Sequence, residues 1–535
     1  MTDYKHDVKR GLSPSPHRLA ALLFLLSVMV FVLYALYFDN GAYSVYDDSF
    51  ISFRYAHNLS RGYGLVFNPG EHVEGYTNFL WTVLMAGAIA SGADVIMVSK
   101  LVAVLAGIAT MGLVFQMGRQ ELGNPYAGVL AAAMLAVTTG FARYAVSGFE
   151  MLLYGMLVAL GVYLYLRALK TGAMPFMAGV ALALAAMTRP EGVLVFGVVT
   201  FHSIATLGLR PGPFRSRVAL LGGWLASFGL VYIPYFAWRY TYYGYLLPNT
   251  FYTKVGEFGL SPLMRGALYL RDVLLLASPQ GALCLILGLF WWGRRSTQAL
   301  LYSLVGFYLS YLVIIGGDVQ RVFGTRFLIP LWPFIYILGV GGALGLARRL
   351  GQRGQRLLWT GLVGALACIF VAWSGFERRG YFSAYDGEWL MLGQWLAGEA
   401  RPDDTLAIDA AGIIPYYSDL YTIDMFGLND LHIAHLDIPI GPGLAGHEKF
   451  DAAYVLARRP TYIATWLSQD GHPRQAGLLA FADQLENDYM LRAVVLNHPP
   501  LGDEAMLIVD PIYTRSLYDQ GYMYGLFRRR DIESK

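Results

Sequence analysis

The sequence predicts an all-α polytopic membrane domain followed by a small soluble α/β domain, on three observations. The 535 residues are 56% hydrophobic and 15% aromatic but only 14% charged, too apolar for one water-soluble globule and too long for a single-span anchor. Apolar runs of about 20 residues recur, the length a helix needs to cross a hydrocarbon core. The net charge of +3 conceals a division: from Gly375 onward 13 Lys/Arg face 23 Asp/Glu, and before it 27 face 14. A basic membrane body, residues 1–374, thus precedes an acidic, water-facing tail, residues 375–535.

About eleven spans are predicted, near 19–38, 98–118, 126–141, 151–168, 175–188, 192–208, 217–235, 275–293, 298–315, 327–346 and 357–374. The segment 78–92 is short and Gly/Ala-rich and reads as an interfacial helix, because counting it as a span would invert every later loop. The positive-inside rule supports that choice. With the N-terminus cytoplasmic, inside loops carry 16 basic and three acidic residues, and outside loops before Gly375 carry 11 of each. Segments 39–97, 236–274 and 316–326 then lie outside the cytoplasm together with the tail. The first run, Leu19 to Phe38, is followed by no A-x-A-like site and reads as a retained span of a multi-pass inner- or plasma-membrane protein. In the tail, Glu388–Leu396 reads as an amphipathic helix, and Thr405–Ile408, Tyr421–Met425, Thr461–Ile463 and Met506–Val509 as strands. Cys284 and Cys368 fall inside predicted spans, so the chain offers no disulfide framework or C-x-x-C metal site.

The first outside loop carries the densest chemistry. Asp47 and Asp48 stand where a short helix begins, and Gly62 is a plausible stop. In that helix Asp47, Arg54 and Asn58 share a face. Capping is the alternative task for a lone Asp, but two carboxylates beside lipid are costly and point to function. Carboxylates act as general bases or stabilise cationic sugar centres in glycosyl chemistry; the pair could instead ligate a divalent cation through oxygen. Downstream, Glu71-His-Val-Glu-Gly-Tyr-Thr-Asn78 offers His72, Glu74, Tyr76 and Asn78 to a polar substrate, with a surface turn at Pro69-Gly70 as the alternative. Arg143, Glu150, Arg189, Glu191, Lys254, Asp318, Arg321 and Arg326 fall on the same predicted rim. Singly, such residues snorkel or cap; together, the cations suit a membrane-embedded phosphate. No Walker loop, dinucleotide fingerprint or H-E-x-x-H occurs. The basic charge lies in short inside loops, which argues against a nucleic-acid partner.

The run Y-D-D-S-F-I-S-F-R-Y-A from Tyr46, the N-P-G-E-x-V-E-G-Y-T-N-F-L run, Thr188-Arg-Pro-Glu-Gly192, Leu247-Pro-Asn-Thr-Phe-Tyr-x-Lys254 and Gly316-Gly-Asp318 resemble GT-C fold glycosyltransferases, nearest the cell-wall terminal arabinofuranosyltransferases and their bacterial relatives. In the tail Asp409-Ala-Ala-Gly, Asp424-Met-Phe-Gly-Leu-Asn-Asp430 and Gly446-His-Glu-Lys449 resemble the same group. The resemblance implies a polyprenyl-phosphate sugar donor used on the outer membrane face, an envelope glycan or glycolipid acceptor, and a catalytic carboxylate at Asp47 or Asp48. More distant lipid A aminoarabinose and protein O-mannosyl transferases carry Asp-Glu there, so Asp48 replaces the Glu. Arg54, Lys254, Arg321 and Arg326 are then expected to hold the donor phosphate, where charge grows as the sugar leaves. His72, Glu74, Tyr76, Asn78, Arg143, Glu150, Arg189, Glu191 and Asp318 are expected to shape the sugar or acceptor pocket. The competing reading is a transporter or lipid flippase with an outer glycan-binding domain; internal repeats typical of such folds are not visible.

Overall fold

The computed structural model describes residues 16–209, 213–254, 260–291, 293, 295–318, 325–357, 360–361, 364, 386–438, 446–468, 478, 485, 487–497, 506–509 and 522–532. Its helices run α1 Pro16–Phe38, α2 Asp47–Ser60, α3 Phe79–Ala90, α4 Val95–Leu122, α5 Pro125–Ala136, α6 Thr139–Tyr144, α7 Met151–Thr171, α8 Phe176–Thr188 and α9 Glu191–Ala205. They continue as α10 Phe214–Tyr243, α11 Asn249–Lys254, α12 Leu260–Asp272, α13 Pro279–Gly288, α14 Arg295–Ile314 and α15 Trp332–Ala347.

Among the described residues, α1, α4, α7, α10 and α14 are long and apolar enough to cross a membrane. The bent pair Leu260–Ala277 and Pro279–Gly288, 94° apart, makes a sixth if it is one span. That is fewer than the predicted eleven because several apolar runs are cut short. Helix α5 stops at Ala136 and the chain turns into α6, breaking the expected span 126–141. Helix α8 ends at Arg189, which is extended (φ −153°, ψ 139°) before Pro190, the conformation a following proline imposes. Within the segment 78–92, α3 is helical over 12 residues. The expected span 357–374 lies almost wholly outside the described residues.

Helix α2 starts where the chain leaves the extended conformation of Tyr46 (φ −71°, ψ 149°), and it carries Asp47 and Asp48 in its first turn. Carboxylates are favoured there by the partial positive charge of unpaired N–H groups. Helices α4 and α5 meet backbone to backbone: a methyl at Gly118 would lie 2.7 Å from the Gly128 Cα. Small residues permit such approach between apolar helices.

The tail adds α16 Asp386–Glu399, α17 Ile413–Ser418, α18 Leu431–Ala434 and α19 Ala452–Ala457. Its strands are β1 Thr405–Ile408, β2 Tyr421–Asp424, β3 Tyr462–Trp466, β4 Tyr489–Asn497, β5 Met506–Val509 and β6 Tyr522–Arg529. They form one mixed sheet in the order β2-β1-β3-β6-β4-β5, parallel across β2-β1-β3 and antiparallel beyond. Alternate residues face opposite sides of a strand, which splits β1. Ala407 packs with Ile423, Ile463 and Phe527 on one face. Leu406 and Ile408 pack on the other with Ile51 and Tyr55 of α2, Leu65, Phe67 and Tyr76 of the first loop, and Tyr243 at the end of α10. The first loop and the tail therefore share one hydrophobic core.

Candidate active site

Neighbouring helix positions diverge by about 100°, and Asp47 and Asp48 meet different partners. Asp47 turns to the tail, where its Oδ1 accepts the Ile413 N–H at 2.6 Å. Asp48, with 52% of its side chain exposed, lies 3.6 Å from Arg326 Nη1. Arg326 pairs with Asp318 at two points, Nε to Oδ2 at 2.6 Å and Nη2 to Oδ1 at 2.8 Å. Its guanidinium lies 5.4 Å from the ring centres of both Phe149 and Phe327. Lys254 joins this group electrostatically. Burial depresses its pKa, Arg326 and Arg189 adding to the effect and Asp48 and Asp318 opposing it.

A second chain of polar groups runs beside the first. Ser52, one turn beyond Asp48, donates to Asn78 Oδ1 at 3.0 Å, and Asn78 donates to Glu150 Oε2 at 2.8 Å. Arg189 then bridges Glu150 at 2.5 Å and Glu191 at 3.0 and 3.1 Å. The Arg189 guanidinium lies 5.2 Å from the Phe327 ring, so this ring has both Arg189 and Arg326 against it. Arg143 is fully buried, donating to the Tyr144 hydroxyl at 3.2 Å with its guanidinium 6.0 Å from the Tyr46 ring. Asp48, Lys254, Arg326 and Asp318 thus form one group, and Asn78, Glu150, Arg189 and Glu191 an adjoining one.

Other expected site residues serve different contacts. Asp47, Arg54 and Asn58 lie on α2, and the Arg54 side chain reaches the tail. Arg54 is buried and donates to the carbonyls of Phe67 (2.8 Å), Leu420 (2.6 Å) and Pro415 and to Asn68 Oδ1 (3.3 Å). These donors join loop to tail. Glu74 is held at two points by Arg239, at 2.7 and 2.5 Å. Tyr76 is buried 3.1 Å from the Tyr243 hydroxyl. Both tie the loop to α10 instead of lining the group around Asp48. His72 is exposed, its ring 4.4 Å from that of Tyr242. Arg321 lies outside the described residues.

Sequence reasoning missed Phe149, Phe327, Gly412 and Ile413. Two phenylalanines in an apolar chain carry no signal, and the Asp409-Ala-Ala-Gly run marks a turn without naming what it touches. Among the described residues no three His, Cys, Asp or Glu side chains gather as a metal site; the divalent cation considered for Asp47 and Asp48 would have two carboxylates directed to different partners.

Apolar helices followed by a small mixed sheet make up the GT-C fold, and two carboxylates stand at the head of α2. The chain matches ArnT from Cupriavidus metallidurans in the apo state with a TM-score of 0.56 and 12% identity, over 96% of this chain and 98% of that one. Bound to undecaprenyl phosphate, the same protein matches at 0.53 with 13% identity and the same coverage. The oligosaccharyltransferase AglB from Archaeoglobus fulgidus, in complex with an inhibitory peptide and a dolichol-phosphate, matches at 0.56 and 12% identity, over 94% of this chain and 76% of that one. In sequence, 232 residues are 29% identical to the terminal beta-(1->2)-arabinofuranosyltransferase of Mycobacterium tuberculosis, covering 39% of this chain. The chain spans about a third, 34%, of the length of that curated relative. Residues 381–512 match a domain of unknown function, DUF8728.

Proposed function

We propose that this protein is an integral-membrane glycosyltransferase that moves a sugar, favouring an arabinofuranose-like pentose, from a polyprenyl-phosphate donor to an extracytoplasmic glycan or glycolipid. The observation that carries the proposal is the separation of the two carboxylates: Asp48 lies toward Arg326 and Lys254, and Asp47 lies toward the tail. The pentose preference leans on the arabinofuranosyltransferase match, and the donor class on the polyprenyl and dolichol phosphates bound by the two structural relatives.

In this reading residues 1–374 are the membrane-embedded catalytic part and residues 375–535 an extracytoplasmic domain, with the N-terminus cytoplasmic. The acceptor hydroxyl attacks the anomeric carbon as the bond from that carbon to the phosphate oxygen breaks. Asp47 takes the hydroxyl proton, and polyprenyl phosphate leaves with one more negative charge. Asp47 is assigned as the base because its carboxylate is directed to the tail while Asp48 pairs with Arg326. Arg326 and Lys254, with Arg321, stabilise the leaving phosphate, and their effect grows as its charge develops. Asp48 and Asp318 hold the cations in place. Asn78, Glu150, Arg189, Glu191 and Arg143 border the sugar, and exposed His72 lies toward the acceptor.

Reconstituted vesicles with a synthetic polyprenyl-phosphate arabinofuranose and an arabinan oligosaccharide test the proposal. Transfer of labelled sugar without movement of lipid between leaflets supports it; lipid movement without transfer would favour the transporter reading.

A further inference from the structure

The tail reaches the candidate base directly. A methyl group at Gly412 would lie 2.0 Å from the Asp47 carbonyl oxygen and 2.6 Å from both its carbonyl and carboxyl carbons. A residue with a side chain cannot bring its backbone that close. The next residue, Ile413, donates its N–H to Asp47 Oδ1 at 2.6 Å. The turn that carries both is anchored from behind by Asp409, which accepts from Thr465 Oγ1 at 2.8 Å, the Trp466 N–H at 3.3 Å and the Tyr524 hydroxyl. Beyond the turn, α17 packs on α2 through Tyr416, whose ring centre is 5.3 Å from that of Phe50.

A second tail segment meets the cations. A methyl at Gly446 would lie 3.1 Å from Lys254 Cε, and Glu448 lies 3.9 Å from Arg265 of α12. Docking alone does not call for the first contact, because the shared hydrophobic core already joins tail to loop. A hydrogen bond on one carboxylate oxygen does two further things. It fixes the side-chain rotamer, and it favours the ionised form.

We infer that Gly412 and Ile413 are positioning residues, through which the tail sets the orientation and proton affinity of Asp47 and so makes turnover conditional on tail docking. The inference rests on Asp47 being the base of the transfer proposed above. One Asp47 oxygen is engaged by the Ile413 N–H, which fixes the orientation of the carboxylate.

The test uses the full chain in vesicles with synthetic polyprenyl-phosphate arabinofuranose. Gly412→Ala and Ile413→Pro should lower kcat by about tenfold to a hundredfold, the worth of a hydrogen bond to a charged group, while donor KM stays within about twofold. Proline is tolerated in the first turn of a helix, so Ile413→Pro removes the N–H with little cost to α17. The acidic limb of the kcat profile should move to higher pH in both variants, and Ile413→Val, which retains the N–H, should recover kcat relative to Ile413→Pro. Independently of activity, exchange of the Ile413 amide should accelerate in Asp47→Ala. Full kcat and an unmoved acidic limb in Gly412→Ala and Ile413→Pro would overturn the positioning role while leaving the transferase reading intact, as would unchanged amide exchange. Wild-type protein that transfers no sugar would overturn both.

Discussion

Asp48 and Arg326 face one another at 3.6 Å, while Arg326 keeps Asp318 at 2.6 and 2.8 Å. The Asp318 side chain is only 3% exposed, so Arg326 compensates part of a buried charge while also lying beside Asp48. Arg326→Gln should therefore damage both stability and donor use. Removing the ion-pair partner of a buried carboxylate costs about 3 kcal/mol or more, and donor kcat/KM should fall by about a hundredfold. The double variant Asp318→Asn/Arg326→Gln should regain most of the lost melting temperature without regaining turnover. Recovery of turnover in the double variant would remove Arg326 from the phosphate site.

Asp47→Asn should lower kcat by about a hundredfold to ten-thousandfold, the range for loss of a general base. The melting temperature should hold, because asparagine Oδ1 still accepts from Ile413. Asp48→Asn should also impair transfer, mainly through the cations it holds. Wild-type turnover in both single variants would refute the assignment of these carboxylates.

Lys254 gives a pH signature. Burial lowers its pKa, and its contribution to phosphate binding exists only while it is protonated. Donor affinity should then be present at lower pH and lost as pH rises through that depressed value, below the range where an exposed lysine titrates. Lys254→Met should raise donor KM at pH values below that depressed pKa, match the wild type above it, and so abolish this alkaline limb. Lys254→Arg should move the limb upward, since arginine stays charged. An alkaline limb that persists in Lys254→Met would belong to another group.

Arg54→Lys separates docking from donor binding. An ammonium cannot reproduce the planar reach to the carbonyls of Phe67, Pro415 and Leu420 and to Asn68. The melting temperature should fall, by the equivalent of about 2 kcal/mol, with donor KM unchanged. A large rise in donor KM would restore Arg54 to the phosphate site.

The tail should be less stable at neutral than at mildly acidic pH. Burial raises the carboxyl groups of Asp409 and Asp424 from 3.8 to about 6. Between these values the two groups bind more protons in the folded tail than in the unfolded chain, so their contribution to stability is highest below pH about 4 and declines as pH rises toward 6, by on the order of 3 kcal/mol per group. Exchange protection of β3, measured at several pH values, reads this directly. Protection that does not fall across that interval would show that these carboxylates are already ionised.

Much of the fold was legible because it depends on local pattern and on solvent. Apolar runs mark the long helices α1, α4, α7, α10 and α14, and four runs of the tail mark β1, β2 and β5 to within a residue and β3 to within three. The paired aspartates at the head of α2, and the rim that joins Asp48, Lys254, Asp318 and Arg326, followed from the rarity of charge near lipid. The direction in which each carboxylate points was not legible. Asp47 meets Ile413 across 366 positions of chain, and no local propensity encodes a contact at that separation.

The sequence by itself determined a membrane body, an acidic tail and a helix that opens on two carboxylates, because hydrophobic length and charge cost act over short stretches. Only the tertiary structure decided that Arg54 serves the tail, that Glu74 is committed to Arg239, and that Phe327 lies against both Arg189 and Arg326. Those outcomes depend on which desolvated donors meet which acceptors once the first loop and the sheet bury a common core.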